Sequence, residues 1–213
     1  MDEVTLRRRD DGTVELRVNG LFVMDDVETT SERRLARRAL ETGARRVLVG
    51  GLGLGFTTRE LLTDPDVERV VVAELHGEIV DWMRDGVVPG ADLLADPRVD
   101  VTVDDVRAVV AEQPEGQLDA ILLDVDNGPD FLVHDENAAV YRDDFLATCA
   151  SRLRPDGALA IWSMADSSAL RTALLNRFTA VTAESVDIRL QERDERYWIL
   201  VGERPRRSAI VPT

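Results

Sequence analysis

Carboxylates that end apolar runs are the residues of this sequence best suited to chemistry. Asp124 closes Leu118-Asp-Ala-Ile-Leu-Leu-Asp124 and opens the densest acidic stretch of the chain, Asp124-Val-Asp126-Asn127-Gly-Pro-Asp130, then His134-Asp-Glu136, then Tyr141-Arg-Asp143-Asp144. A carboxylate at the end of so apolar a run is partly buried. Carboxylates gathered there could hold a cationic amine, and one could take a proton as that amine attacks. The acidic loop, about 18 residues long, exceeds the usual strand-to-helix connection and suits an active-site lid. A plainer reading makes it a hydrophilic loop in which Asp143 or Asp144 caps the next helix. That reading accounts poorly for Asp124.

A second group sits upstream. Val47-Leu-Val-Gly50 is an apolar strand that meets Gly51-x-Gly53-x-Gly55 and then a helix. Glycines let such a turn adopt positive φ and let a ligand's sugar approach the backbone without striking a Cβ, although the same spacing also serves a simple tight turn. Arg69-Val-Val-Val-Ala-Glu74 is a second strand, ending in a carboxylate 19 positions after Gly55. A carboxylate there can accept from both hydroxyls of a ribose, unless it is only a solvated strand end. The third glycine comes one residue earlier than in the dinucleotide fingerprint. This favours an adenosyl ligand without a pyrophosphate, such as S-adenosylmethionine or a relative. Asp104 and Asp105 follow a third strand; Asp105 could accept from an adenine amino group, or either could cap the helix that starts there.

These side chains need strands whose carboxyl ends meet. From Val47 the sequence alternates strands at 47–49, 69–74, 99–103, 119–124 and 158–162 with helices at about 57–63, 77–84, 105–112, 143–153 and 167–177. Such alternation predicts crossover units on a doubly wound, mostly parallel sheet with helices on both faces, and ligands gathered at the strands' carboxyl ends. Val181–Leu190 and Tyr197–Val201 flank a charged Gln191–Arg196 turn and predict an antiparallel hairpin at the end of the sheet. Upstream, Val4–Arg8, Thr13–Val18 and Leu21–Met24, joined by Asp10-Asp11-Gly12 and Asn19-Gly20, predict a β-meander. Thr29 and Glu32 have the spacing of a capping box for a helix with an apolar stripe of Leu35, Ala36 and Leu40, which Gly43 stops. The expected organisation is a meander over 1–27, a ligand-binding α/β domain over 28–204 and a frayed tail over 205–213.

With 213 residues, 44% hydrophobic and 31% charged, the chain is globular and of a size for one core. Its formal charge of −15 disfavours nucleic acid and anionic membranes as partners and favours cationic small molecules. Cys149 stands alone, so no intrachain disulfide forms, and it reads as a small core residue. His76 and His134 are too few for a histidine-rich metal site, and no metal is expected. The start of the chain has neither a basic nor an apolar targeting segment, and no apolar run is long enough to span a membrane. The expectation is a cytoplasmic protein.

In order along the chain, these pieces resemble the spermidine synthase family of polyamine aminopropyltransferases, which share the class I methyltransferase fold. The resemblance is collinear over about residues 47–162. It rests on the glycine loop followed by Arg59-Glu60, on Glu74, on Asp96-Pro97-Arg98-Val99, on Asp105, on Leu118–Asp124 and on Leu153-Arg-Pro155-Asp-Gly157. It implies a seven-stranded Rossmann-like sheet, an enzyme transferring an alkyl group from an S-adenosylmethionine-type sulfonium to a small amine, and a homodimer. By this resemblance Asp124 is catalytic, Gly51, Gly53, Gly55, Glu74 and Asp105 bind the adenosyl co-substrate, and Asn127 stands at the acceptor-binding position, where Asp126 and Asp130 are the candidates to substitute for the family's Asp. The departures fall on the transferred group. Leu54 stands where the family has an Asp that grips the aminopropyl amine of decarboxylated S-adenosylmethionine, Phe56 replaces the loop's last glycine, and Asn127 replaces an acceptor-binding Asp. The segment before the sheet is shorter than the family's usual amino-terminal domain, and the acceptor-lining Tyr and Gln have no evident counterparts. Aminopropyl transfer is the leading expectation, with methyl transfer from intact S-adenosylmethionine second and a non-catalytic adenosyl-binding protein third. Val49 lacks the acidic residue that ordinary methyltransferases carry there, as does the spermidine synthase family.

Overall fold

A computed structural model describes residues 2–132 and 135–207. The amino-terminal meander is β1 (Val4–Arg8), β2 (Val14–Val18) and β3 (Leu21–Asp25), paired antiparallel in the order β1-β2-β3. Asn19 and Gly20 turn the second hairpin with positive φ of 51° and 76°, the twist a two-residue hairpin needs.

After α1 (Thr30–Leu40) the main sheet begins with β4 (Arg46–Gly50), followed by α2 (Phe56–Leu61), β5 (Arg69–Glu74), α3 (Gly77–Arg84), α4 (Ala91–Leu94), β6 (Val99–Val103), α5 (Val106–Glu112) and β7 (Leu118–Leu123). A 3-10 helix over Asp135–Tyr141 precedes α6 (Asp143–Arg152), β8 (Leu153–Ser163), α7 (Ser168–Arg177), β9 (Phe178–Leu190) and β10 (Arg193–Pro205). The seven strands lie in the order β6-β5-β4-β7-β8-β10-β9. The first five are mutually parallel, and β10 runs antiparallel to both its neighbours. This is the expected doubly wound sheet with a carboxyl-terminal hairpin.

Its central strands are buried on both sides, which is why β4, β5 and β7 read as runs rich in Val, Leu, Ile and Ala. One face packs on α1 to α4 and the meander, through Leu35, Leu61, Ile79, Met83, Leu93, Leu16 and Met24. The other packs on α5, α6 and α7, through Val109, Leu146 and Leu174, and holds Cys149, whose thiol is pushed up by burial. Asp119 ties the base of the sheet. Its Oδ2 accepts from the backbone of Arg45 and Arg46 at 2.9 and 2.8 Å, and its Oδ1 takes the Arg154 guanidinium at 2.6 Å.

Several local expectations change. Thr29 makes no side-chain cap and Glu32 does not reach back to close a capping box. Glu28 accepts from the Thr30 N–H at 2.9 Å instead, which frees Glu32 for another role. Gly43 does end the helix, at φ 72°. The stretch 191–196 is not all turn: Gln191 and Glu192 alone bend the chain, at φ 49° and 66°, and Arg193 to Arg196 pair with β9. Strand pairing with a neighbour overrides the charge that made this stretch look like a loop. β8 likewise starts at Leu153, through the Arg-Pro-Asp-Gly segment. The helix α4 and the 3-10 helix, both short, were not anticipated. In the expected tail, Pro205 belongs to β10 and Arg206 donates to the Arg177 carbonyl at 2.7 Å, whereas residues 208–213 lie outside the described residues. So does His134. No helix among the described residues is long and apolar enough to cross a membrane.

Candidate active site

The site forms where the strand order reverses, between β4 and β7. Register sets it. Gly50 pairs with Ala73 of β5 on one side and Leu123 of β7 on the other, so Glu74 and Asp124 both emerge beside the glycine turn. Two further hydrogen bonds carry the ladders past the strand ends, Gly51 N–H to the Ala73 carbonyl at 2.8 Å and Asp124 N–H to the Gly50 carbonyl at 2.9 Å. Gly51 is obligatory on two counts. Its φ is 93°, and a Cβ would overlap the carbonyl oxygen of Asp124.

A pocket opens at this point. Its walls are Leu16, Val18, Val23 and Met24 of the meander, Phe56 and Thr57 of α2, Ile79 of α3 and Trp162 of β8. Tyr197 stacks edge-on against Trp162 at 4.7 Å. Of the expected site residues, Gly51, Gly53, Glu74, Asp105, Asp124, Asp126 and Asn127 line this pocket. Gly55 does not. At φ 85° it starts α2, facing Leu93 and Met83, so its part is to shape the turn. Asp130 is exposed and is not among the described lining residues.

Each carboxylate has a distinct environment. Glu74 is 4% exposed; its Oε2 accepts from Leu52 N–H at 2.8 Å and Gly53 N–H at 3.4 Å, and its Oε1 from His76 N–H at 2.8 Å. It braces the glycine turn while presenting an edge to the pocket. Asp105 caps α5 through the Arg107 N–H at 2.8 Å, and the Arg107 guanidinium holds it below the usual carboxylate range. The two alternatives for Asp105 are thus compatible: it caps, and it lines the pocket. Asp126 is buried and accepts from Asn137 Nδ2 at 2.8 Å, which anchors the 3-10 helix of the long acidic loop to the end of β7. Asn127 adds a backbone link, its carbonyl accepting from Met164 N–H at 3.0 Å.

Asp124 differs from all of these. Its carboxyl is desolvated at the pocket floor, and among the described residues it accepts no hydrogen bond and faces no cation. Burial first, and the charge of Glu32 second, push it up to about 8. Glu32 was missed in sequence, where it read as part of a helix cap. It too lines the pocket and is raised, by burial and by the charges of Glu28 and Asp25. Leu54 is 7% exposed and belongs to the core, so the glycine turn contributes no side-chain charge there. Such a site can take a flat nucleoside beside the glycines, a diol at Glu74 and a cationic group near Asp124 and Glu32. Among the described residues, no group of three or more His, Cys, Asp or Glu side chains is arranged to hold a metal ion.

Comparison with known proteins agrees with this architecture. A polyamine aminopropyltransferase of Mycobacterium tuberculosis (strain CDC 1551 / Oshkosh) is 32% identical over 162 residues, covering 75% of this chain and 30% of that relative. Putrescine N-methyltransferase 3 of Nicotiana tabacum is 29% identical over 138 residues, covering 64% of this chain and 34% of the relative. The chain therefore spans about a third of the length of these curated relatives. A crystal structure of spermidine synthase in complex with the transition state analogue AdoDATO shares the fold with a TM-score of 0.80 at 17% identity, over 96% of this chain and 71% of that one. The spermine/spermidine synthase domain model matches residues 35–185, and the chain belongs to that family.

Proposed function

We propose that this chain transfers an aminopropyl group from decarboxylated S-adenosylmethionine to a small amine. The observation that carries the reading is Asp124, a desolvated carboxyl without a partner among the described residues, set beside a glycine turn and within the same pocket as Glu74. Gly51 and Gly53 admit the adenosyl group, Glu74 holds the ribose hydroxyls and Asp105 meets the adenine edge. The acceptor amine attacks the methylene carbon beside sulfur. A C–N bond forms, the C–S bond breaks with its electron pair returning to sulfur, and the amine proton passes to Asp124. The products are the elongated amine and neutral 5′-methylthioadenosine.

A base with a value near 8 suits this task, because it is partly ionised at neutral pH and strong enough to receive an amine proton. Alignment of two bound reactants supplies up to about 7–11 kcal/mol in favourable cases. The sulfonium loses its charge in the reaction, so the pocket's carboxylates act more on substrate binding than on the transition state. The names of the relatives support the same reading, polyamine aminopropyltransferase above all. A second reading, methyl transfer from intact S-adenosylmethionine, draws on the apolar, core-facing Leu54 and on the putrescine N-methyltransferase relative.

Calorimetric binding of S-adenosylmethionine, its decarboxylated form and 5′-methylthioadenosine separates the two. Preference for the decarboxylated form is expected. Preference for the intact form would replace aminopropyl with methyl transfer, and failure of all three to bind would defeat both. Asp124→Asn is expected to lower turnover by at least about 100-fold, the scale of a lost general base, with 5′-methylthioadenosine still bound. Undiminished turnover would remove Asp124 from its role.

A further inference from the structure

Every one of the 26 basic residues is an arginine, yet no arginine lines the pocket, which is lined by Glu32, Glu74, Asp104, Asp105, Asp124 and Asp126. Five of these six have evident partners. Glu74 takes backbone N–H groups, Asp104 takes the Asp105 N–H at 2.7 Å, Asp105 takes Arg107 and Asp126 takes Asn137. Asp124 takes none among the described residues. Glu32 receives the Ser31 hydroxyl at 2.9 Å and its own backbone N–H, lines the same pocket as Asp124, and acts on it through its charge. Two half-buried carboxylates that share a pocket and act on one another through their charges do not both ionise cheaply unless a cation joins them. No arginine lines the described pocket, the charges that act on Asp124 and Glu32 are themselves carboxylates, and Leu52 and Leu54 leave the glycine turn apolar. A compact group with several N–H donors on a short apolar stem fits carboxylates floored by Trp162, Met24 and Phe56.

We propose that Glu32 and Asp124 form a two-carboxylate clamp for a primary alkylammonium, and that Glu32 makes the site prefer ligands bearing that group over the bare nucleoside. The inference rests on the adenosyl-site reading above. An alkylammonium can come from the donor's transferred group or from the acceptor; the chemistry is the same, and the experiment tells the sources apart. Clamping a cation draws Asp124, pushed up to about 8, into its ionised form, so binding near neutral pH expels a proton. The other titratable neighbours are Asp25 and Glu28 beside Glu32, Tyr197 from β10, Asp126 and Tyr141 beside Asp124, and Glu74, His76, Asp104 and Asp105 along the rest of the pocket.

The test compares wild type with Glu32→Gln by calorimetry in two buffers of different ionisation enthalpy. The probes are 5′-methylthioadenosine, decarboxylated S-adenosylmethionine, and 1,4-diaminobutane added with the nucleoside present. Glu32→Gln is expected to bind 5′-methylthioadenosine within about twofold of wild type and to lose at least tenfold in affinity for one ammonium ligand. Proton release is expected to fall with it. Loss on the decarboxylated donor assigns the clamp to the transferred group, and loss on the diamine assigns it to the acceptor. Unchanged affinity for both, with the nucleoside still bound, overturns the clamp. Failure of wild type to bind the nucleoside overturns the adenosyl reading on which the clamp stands. Should Glu32→Gln not fold, Glu32→Asp retains the charge on a shorter arm; a graded loss confined to the same ammonium ligand supports the clamp, and no loss on either overturns it.

Discussion

At Asp124 a carboxyl group is held where water is scarce and another acid is near, and both factors favour its neutral form. In the unfolded chain the same group titrates at an ordinary value near 3.8, whereas in the fold it titrates at about 8. Between these values the folded state retains a proton that the unfolded state has lost, so Asp124 weakens the unliganded fold progressively as pH rises from about 4 to about 8. Below pH 4 both states are protonated and the penalty is gone. Asp124→Asn, neutral at every pH, is expected to unfold a few degrees above wild type at pH 8 and no higher at pH 4. Thermal melts of the two proteins at both values test this. Equal melting at pH 8 would mean that Asp124 ionises without strain. The opposition between stability and reactivity is what a site prepared for chemistry exhibits.

Elements act through where they end. β4 stops one residue short of Gly51, and β7 stops so that the Asp124 carbonyl lies against that glycine. Gly12 provides an internal control, with a φ of 92° that nearly equals the 93° at Gly51 but nothing within 4 Å of its missing Cβ. Gly12→Ala is expected to cost only the backbone strain, about 1–2 kcal/mol. Gly51→Ala adds the collision with β7 and is expected to cost at least about 1 kcal/mol more. Urea unfolding of both variants measures the difference, and equal costs would show that the turn can move away from Asp124 freely. The turn, the strand ends and Glu74 were legible from sequence because each depends on residues close in the chain. α4 and the 3-10 helix were not, since four and seven residues are too few to display a period.

Across the whole molecule, charge is arranged in two opposite ways. Outside the pocket, carboxylates are matched with arginine: Arg59 holds Asp92 down to about 2, and Arg98, Arg177 and Arg171 hold Asp96, Asp143 and Asp166 below the usual range. These groups support the fold once ionised, above about pH 4, and that support is lost as pH falls through their lowered values. The pairs are exposed, so each contributes little. In Asp124→Asn, which lacks the pocket's opposing contribution, they are expected to make stability level between pH 7 and 5 and falling from about pH 4 toward 2, which urea midpoints along that series would register. A decline already marked at pH 5 would point to carboxylates with ordinary values. The pocket, with its raised acids, changes stability in the contrary sense over the higher range.

Sequence alone determined the alternation of strands and helices, the glycine turn, the hairpin pairs and the carboxylates at the ends of β5 and β7. These follow from side-chain period, glycine's conformational freedom and the direction in which a parallel strand must run. Only the tertiary structure decided that Glu32, spaced like a capping residue, shares a pocket with Asp124, because the two are remote in the chain and are brought together by the fold. It also decided that Leu54 turns to the core, that Asp130 stays outside the pocket and that the charged start of β10 is strand. Each of these depends on which surface lies opposite a residue, and that is a property of the assembled layers, not of the neighbouring residues in sequence.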